Sequence, residues 1–358
     1  MAAWLALSAA DLAPLAAQWS SYEHLLALEF AGLDVGQAYE LAFSRLLKPD
    51  PFRLFGRSDG DPQQMFGTDQ RDRLVAPAAA ALAGLPAGAS LLDIGCGDGQ
   101  TTALVLAARR APIALQPLDP VGAYLERYRR LMGEVLPHAR ILEPLEGDMN
   151  EVLASGSLAG RFDAALLLHS IYFTEDPERL LSRVLDCLAP GGLAVLASAA
   201  RRAGYSGDMR RGYLDAFGLD PDGRVAAGQA RLDALLGLAD PEATPDGLTR
   251  SMRDRLGRGD FAVVSTVWQE TRFYAHDFGD LIAMSLITGL LTADADRPRQ
   301  IRYVSGRLQR EPETFDLRLE LAGPHARTLS VAQPQVVVTL ARRQGRSGGP
   351  GADRPIIE

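Results

Sequence analysis

One short stretch constrains the fold of this chain more than any other: Leu91-Leu92-Asp93-Ile94-Gly95-Cys96-Gly97-Asp98-Gly99-Gln100. It reads as a buried strand that runs into a turn with three glycines at alternate positions. A helical stretch over residues 101–110 follows. Glycines in such a turn reach backbone angles that a side chain forbids, and they let the main chain approach a ligand closely. The ligand expected at the carboxyl end of such a strand is nucleotide-like. A dinucleotide fingerprint requires G-x-G-x-x-G, whose third glycine allows close helix packing. Here the order is G-x-G-x-G, and Gln100 stands where that third glycine belongs. Asp98 would also repel a pyrophosphate. Aspartates at both ends of the loop, Asp93 and Asp98, suit a ligand with a cationic end and hydroxyls.

The next elements narrow the choice. Residues 113–118 read as a second strand ending at Asp119-Pro120, with the Asp119 carboxylate 24 residues beyond Gly95. A carboxylate there can accept both hydroxyls of a ribose. The same residue also reads as a helix N-cap with Pro120 in the first turn, and the two roles are compatible. Residues 139–142 read as a third strand leading to Glu146-Gly147-Asp148-Met149, with a helix over residues 150–153. A fourth strand, residues 162–168, ends at His169-Ser170-Ile171-Tyr172-Phe173. Asp176-Pro177 then starts a helix, with Asp176 as cap and Pro177 at the first helical position. That helix runs to Leu188, and Pro190-Gly191-Gly192 turns the chain into a fifth strand, residues 193–197.

The glycine loop resembles the first motif of class I S-adenosylmethionine-dependent methyltransferases. The later landmarks follow in the order that family shows, over residues 91–200. The resemblance implies an α/β fold: a Rossmann-like, seven-stranded, mostly parallel sheet with helices on both faces and an antiparallel last strand. It implies S-adenosylmethionine as cofactor and S-adenosylhomocysteine as product. The cofactor-binding residues it implies are Asp93, Gly95, Cys96, Gly97, Gly99, Asp119, Pro120, Asp148, Met149 and His169. Asp148 would face the adenine amino group and the Met149 amide the ring; Asp148 also reads as the cap of the following helix. Enzymes of the family that methylate an amino-purine carry an Asn/Asp-Pro-Pro-aromatic run where this chain has Leu-His-Ser-Ile-Tyr, which argues against a nucleobase acceptor. The layout is more loosely similar to histamine N-methyltransferase and related small-molecule enzymes. That likeness rests on Asp119-Pro120 before a Tyr-containing helix, on residues 169–173 before Asp176-Pro177, and on a helical insert before the sixth strand.

Composition removes several function classes. The net charge is −8, so an electrostatic grip on duplex phosphates is not expected, and nucleic acid is excluded as the main partner. The arginine pairs 201–202 and 210–211 read as a solvated face. Lysine occurs once, at Lys48, so Schiff-base chemistry is not expected. The two cysteines, Cys96 and Cys187, make no disulfide framework and fit a reducing, cytoplasmic setting. Cys96 reads as a small packing residue rather than a reactive thiol. With no H-E-x-x-H and with His24, His138, His276 and His325 scattered, no metal site is expected. The apolar start of the chain lacks a basic segment, and Ser8-x-x-Asp11 reads as a helix start rather than part of a signal peptide. Pro77, Gly84, Pro86 and Gly88 rule out a membrane span in the Ala-rich stretch before the glycine loop.

The expected organisation has five parts. Residues 1–70 form an N-terminal helical segment, with helices at 8–19 and 20–47. Its loop carries Phe52, Phe55 and Phe66, which serve either as anchors to the core or as a lid. Residues 71–200 are the cofactor-binding core, entered through a helix at 69–82. Residues 201–260 are a helical insert, with helices near 207–217, 224–238 and 245–256, capping the acceptor side. Residues 261–341 complete the sheet, with strands at 261–271, 315–321 and 331–340 and a helix at 276–291. Residues 342–358 are a disordered tail.

Methyl transfer is an in-line displacement that expels a neutral thioether, so the protein must chiefly align the reactants and exclude water. Positioning can supply ~7–11 kcal/mol, whereas a general base adds only about 10²–10⁴-fold. The candidate catalytic residues are His169, as a base or as pocket lining, and Tyr172, which with Phe173 could face the sulfonium through its ring. Trp268, Phe273 and Tyr274 fit either an acceptor pocket or an ordinary strand face. The expected activity is methylation of a small-molecule acceptor by a monomer or homodimer that contacts neither nucleic acid nor membrane. Two alternatives stay open: methylation of a peptide or protein along a broad groove lined by residues 200–260, and a regulatory protein that binds the cofactor without turnover.

Overall fold

The computed structural model describes residues 4–34, 37–38, 41–42, 68–174, 176–199, 204–238, 242–286, 296–321 and 328–344. In chain order the strands are β1 (Trp4–Ala6), β2 (Ala89–Ile94), β3 (Ile113–Asp119), β4 (Ala139–Ile141), β5 (Leu145–Glu146), β6 (Phe162–Leu168), β7 (Leu188–Ala199), β8 (Phe261–Gln269), β9 (Arg272–Ala275), β10 (Arg318–Glu320), β11 (Leu329–Ala332) and β12 (Gln335–Arg342). Among the described residues, seven strands form the main sheet in the order β4-β3-β2-β6-β7-β12-β8, with β5 attached to β3. The ladders from β4 through β7 are parallel. β12 runs antiparallel to both β7 and β8, so the expected fold holds, reversed strand included.

Alternation along each strand decides which layer a residue enters. Leu91, Leu115, Leu166, Val195 and Val337 join one core with Leu74, Val105 and Tyr128 of the helices Gln70–Leu82, Gln100–Leu106 and Gly122–Val135. Their neighbours Leu92, Leu167, Leu196 and Val336 join the other core, under the helices Met149–Ala154, Pro177–Cys187, Arg224–Leu235 and Pro245–Leu256. The start of Pro177–Cys187 follows the sequence signal: the Asp176 side chain accepts from the Arg179 amide at 3.0 Å, with Pro177 in the first turn.

A second body stands beside this sheet. Its four-stranded antiparallel sheet has the order β1-β10-β11-β9. Its core unites Leu12, Trp19 and Phe30 from the chain start with Tyr205, Leu281, Ile301 and Val331. The helices are Ala16–Glu29, Tyr205–Ala216, Phe278–Leu286 and Arg297–Arg310. β1 pairs with β10, some 300 residues later: Trp4 faces Glu320, and Ala6 faces Arg318. Among the described residues, the chain crosses between the two bodies at the carboxyl ends of β7 and β8 and at the start of β12, so these crossings lie at one end of the main sheet.

Several expectations need correction. Residues 261–341 do not simply complete the sheet. The expected strand at 261–271 ends at Gln269, and its continuation β9 belongs to the second sheet. The expected strand at 331–340 divides at Gln333-Pro334, because Pro334 lacks the amide that a continuous ladder requires. The strand expected at 315–321 shortens to Arg318–Glu320, preceded by a turn over Pro312–Phe315. The boundary expected at residues 19–20 lies inside the helix Ala16–Glu29, since Trp19 is buried and no breaker follows it. The helical insert divides as well. Leu232, Leu235, Leu248 and Met252 bury against the main sheet, so two of its helices are a core layer rather than an acceptor cap. Only Tyr205–Ala216 joins the second body. Arg211 is no solvated residue: it pairs with Asp208, whose carboxylate also binds Arg307 at 2.9 Å. Phe52, Phe55, Phe66, Arg201, Arg202 and residues 345–358 lie outside the described residues.

Candidate active site

The glycine loop leaves β2 in a tight reversal. The amides of Gly95 and Cys96 both donate to the Leu118 carbonyl, at 2.7 and 3.2 Å. Gly95, Gly97 and Gly99 all adopt left-handed angles, with φ of 64°, 54° and 86°. Their surroundings differ. A Cβ on Gly95 would stand 2.4 Å from the Ser170 Cβ, and one on Gly99 would stand 2.6 Å from the Tyr128 ring. These two glycines permit packing. A Cβ on Gly97 would meet no atom within 4 Å, so the middle glycine presents bare backbone to open space.

Carboxylates surround that opening. The Asp119 Oδ2 accepts from the Gly97 amide at 2.9 Å, and its Oδ1 accepts from the Val121 amide at 3.0 Å. Asp119 therefore ties the end of β3 to the glycine loop, and each oxygen keeps a further lone pair. Burial raises its pKa above the usual carboxylate range. The helix expected to begin at Pro120 starts instead at Gly122 after an uncapped Val121, and Pro120 is exposed in a bend. The residue before a proline is held extended, so Asp119 stays in the strand and the helix begins later. Asp93 lies beneath the loop and accepts from the Thr102 hydroxyl at 2.7 Å. Complete burial raises its pKa to about 6, and repulsion from Asp119 adds to the effect. Asp98 binds the Gln100 amide at 3.2 Å and its side-chain nitrogen at 2.9 Å. Gln100, in turn, accepts from Arg71 at 3.0 Å. The Cys96 thiol is raised far above its usual value, first by burial and then by Asp93 and Asp119. A thiol held protonated is a poor nucleophile.

Asp148 caps the helix Met149–Ala154, accepting from the Asn150 and Glu151 amides at 2.8 and 3.3 Å. Met149 is buried behind it. The end of β6 completes the site. Ser170 donates to the Ile94 carbonyl at 2.7 Å, which brings the ends of β6 and β2 together. His169 is one of two non-glycine residues with positive φ among those described, at 58°. Its amide donates to the Ala197 carbonyl at 2.8 Å, and its Nε2 is 2.9 Å from the Gln335 Oε1. The His169 and Tyr172 ring centroids are 6.2 Å apart, and those of Tyr172 and Phe173 are 4.8 Å apart. The Phe173 ring is largely exposed, whereas Tyr172 is partly covered. Among the described residues, no group of acidic, His and Cys side chains could hold a metal ion.

Sequence reasoning missed a belt of glutamines. Gln335 donates to the Gln70 carbonyl at 2.8 Å and to the Gln269 Oε1 at 2.7 Å. Gln333 accepts from the Ser206 amide and hydroxyl at 2.9 and 2.7 Å, which fastens the helix Tyr205–Ala216 to the strand edge. Glutamine carries no motif, and these residues are far apart in sequence, so no local signal could reveal them. Trp268 packs on the main core, and Phe273 packs within the second body. Burial raises the Tyr274 pKa to about 12.

The sequence of residues 68–229 matches a family described as a methyltransferase domain. That segment is a methyltransferase domain. It holds the glycine loop, Asp119, Asp148 and His169, and it spans just under half of the chain. The site fits S-adenosylmethionine: bare backbone at Gly97 opens beside the shielded carboxylate of Asp119. No curated protein sequence matches this chain. Among solved structures it is similar to a putative methyltransferase from Bacillus halodurans, with 12% identity, 75% of this chain and 99% of that one covered, and a TM-score of 0.47. It is also similar to a putative sarcosine dimethylglycine methyltransferase from Galdieria sulphuraria, with 12% identity, coverage of 76% and 85%, and a TM-score of 0.41. A third likeness is to a methyltransferase from Geobacter sulfurreducens in complex with S-adenosyl-L-homocysteine, with 18% identity, coverage of 76% and 91%, and a TM-score of 0.39. No helix among the described residues is long and apolar enough to cross a membrane.

Proposed function

We propose that this methyltransferase acts on a small-molecule nucleophile, with His169 as the base that removes its proton. S-adenosylmethionine supplies the electrophilic methyl group on a sulfonium. Asp119 holds the ribose hydroxyls on its remaining lone pairs, and Asp148 and Met149 meet the adenine. Tyr172 offers its ring face to the cation. His169 takes the proton of the acceptor as the new bond forms.

The observation that carries the reading is the end of the main sheet shared by the glycine loop, His169 and the described crossings into the second body at β7, β8 and β12. A second body rising from the reacting end favours an enclosed acceptor. Two of the helices that could have lined a broad peptide groove pack against the main sheet instead, which disfavours a protein acceptor. The backbone at His169 adds support. A left-handed histidine costs about 1–3 kcal/mol and persists where surrounding structure over-determines it, often at functional sites.

His169→Gln is the test. Methyl transfer to a metabolite-extract acceptor, followed by mass spectrometry, should slow by about 10²–10⁴-fold, while S-adenosylmethionine still binds. An unchanged rate at every pH would remove His169 from the chemistry. Methylated peptide as the sole product would overturn the small-acceptor reading.

A further inference from the structure

We infer that Arg210 is the anion receptor of the site: its guanidinium takes a carboxylate or phosphate group of the small-molecule acceptor. The inference rests on the small-acceptor reading and deepens it by naming the acceptor's charge. Arg210 belongs to the helix Tyr205–Ala216, whose Met209 and Tyr213 turn into the core of the second body. Ser206 lies one helical turn before Arg210 on the same face. Its amide and hydroxyl are the groups that bind the Gln333 side chain, at 2.9 and 2.7 Å. Gln333 and Gln335 flank Pro334, and the Gln335 Oε1 is 2.9 Å from the His169 Nε2. The helix face that carries Arg210 is thus anchored at the end of the main sheet where His169 lies.

Arg210 also looks toward the other body. The charge that acts on it is that of Asp220. Asp220 accepts from the Val225 and Ala226 amides at 3.1 and 3.0 Å and so holds the first turn of the helix Arg224–Leu235. Leu232 and Leu235 of that helix bury against the main sheet. Arg210 therefore lies at the seam between the two bodies, a common place for ligand sites. The sequence suggested a solvated face, but the side chain is half-buried, and its covered Nε makes no hydrogen bond. Burial lowers its pKa below the usual arginine value, and Asp220 offsets only part of that. A covered charge without a hydrogen-bonded partner is costly, and functional sites are where such groups gather. The other side of the seam carries a second unmet group. Gln229 stands one turn beyond Val225, is 6% exposed, and has neither atom of its amide hydrogen-bonded. A guanidinium fork matches a planar carboxylate or a phosphate edge with two parallel hydrogen bonds. An acceptor bound this way is held by its charged end while its nucleophile turns to the methyl group.

The experiment incubates the full chain with methyl-labelled S-adenosylmethionine and a metabolite extract of the source organism. Each labelled product is identified by mass spectrometry and should carry a carboxylate or phosphate group. Labelled products without either group would overturn the inference, and this measurement needs no variant to fold. Label in no product would overturn the methyl-transfer reading beneath it. With the labelled acceptor in hand, Arg210→Gln should raise its KM about 10–100-fold, as for loss of a hydrogen bond to a charged group. The kcat and the KM for S-adenosylmethionine should stay unchanged, and Arg210→Lys should recover part of the loss. Acetate and inorganic phosphate should compete with the acceptor in the unaltered protein and not in Arg210→Gln, and the stronger competitor identifies the oxyanion. An unchanged acceptor KM in folded Arg210→Gln, or a loss confined to kcat, would refute Arg210 as the receptor. The failures separate: an uncharged acceptor methylated normally refutes Arg210 and leaves His169 as base, whereas normal turnover in His169→Gln refutes the base and leaves the acceptor's charge standing.

Discussion

The cofactor-binding half and the second body are made from the same kinds of residue but assembled over different distances. In the first, β2, β3 and β6 follow one another within about 80 residues, and helices such as Gly122–Val135 and Pro177–Cys187 pack on strands near them in sequence. In the second, β1 pairs with a strand some 300 residues away, and Trp19 meets Phe278 with ring centroids 4.2 Å apart. Short-range assembly leaves punctuation in a sequence, as caps, glycine turns and strand-ending carboxylates. Long-range assembly leaves only apolar residues whose partners cannot be named in advance. The lesson is that one half should tolerate damage that the other does not.

The largest expected effect breaks that symmetry directly. Trp19→Ala should cost about 3–5 kcal/mol, felt in the second body. Hydrogen exchange should quicken in residues 16–29, 278–286 and 297–310 and stay unchanged in residues 89–119. Equal loss in both would mean that the two regions unfold as one unit. The next test lies within the glycine loop. Gly95→Ala combines a left-handed strain of about 1–2 kcal/mol with overpacking of about 1–3 kcal/mol against Ser170, so its melting temperature should drop clearly. Gly97→Ala carries the same left-handed strain but meets no neighbour, so it should lose less stability than Gly95→Ala yet bind cofactor poorly. Similar behaviour of the two variants would contradict the split between a packing glycine and a ligand-facing one.

A smaller effect concerns Asp119. Asp119→Ala should weaken S-adenosylmethionine by about 1–3 kcal/mol in calorimetry, and unchanged affinity would refute ribose binding. The smallest is a proton count. Buried Asp93 has its pKa raised to about 6 in the free protein. A cationic sulfonium nearby favours the anion, so binding lowers that pKa and expels a proton. Affinity should therefore rise as pH climbs through about 6 and level off above it. Titrations at pH near 6 in two buffers of different ionisation enthalpy should disagree, and those at pH 8 should agree. Identical heats in both buffers near pH 6 would remove Asp93 from the linkage.

Much of the first half was legible. The strand-loop-helix at residues 91–106, Asp119 at its strand end and the Asp148 and Asp176 caps rest on local chemistry that names itself, whereas the reversed last strand was expected from the family resemblance alone. The second sheet was not legible. β1 is three residues long and gains meaning only beside Arg318–Glu320. Pro334 was visible, but its effect, a strand shared between two sheets, depends on what lies on either side. In the site, His169 stood out through its place after β6. Its left-handed backbone and its partner Gln335, 166 residues onward, arise from tertiary packing alone.

The most direct measurement is a crystal structure with S-adenosylhomocysteine bound. The adenosyl group should lie against residues 95–99, its ribose hydroxyls on the Asp119 carboxylate and its adenine beside Asp148 and Met149, with the sulfur facing His169. A ligand bound elsewhere, or an Asp119 that keeps only its Gly97 and Val121 amides while the ribose turns away, would contradict it.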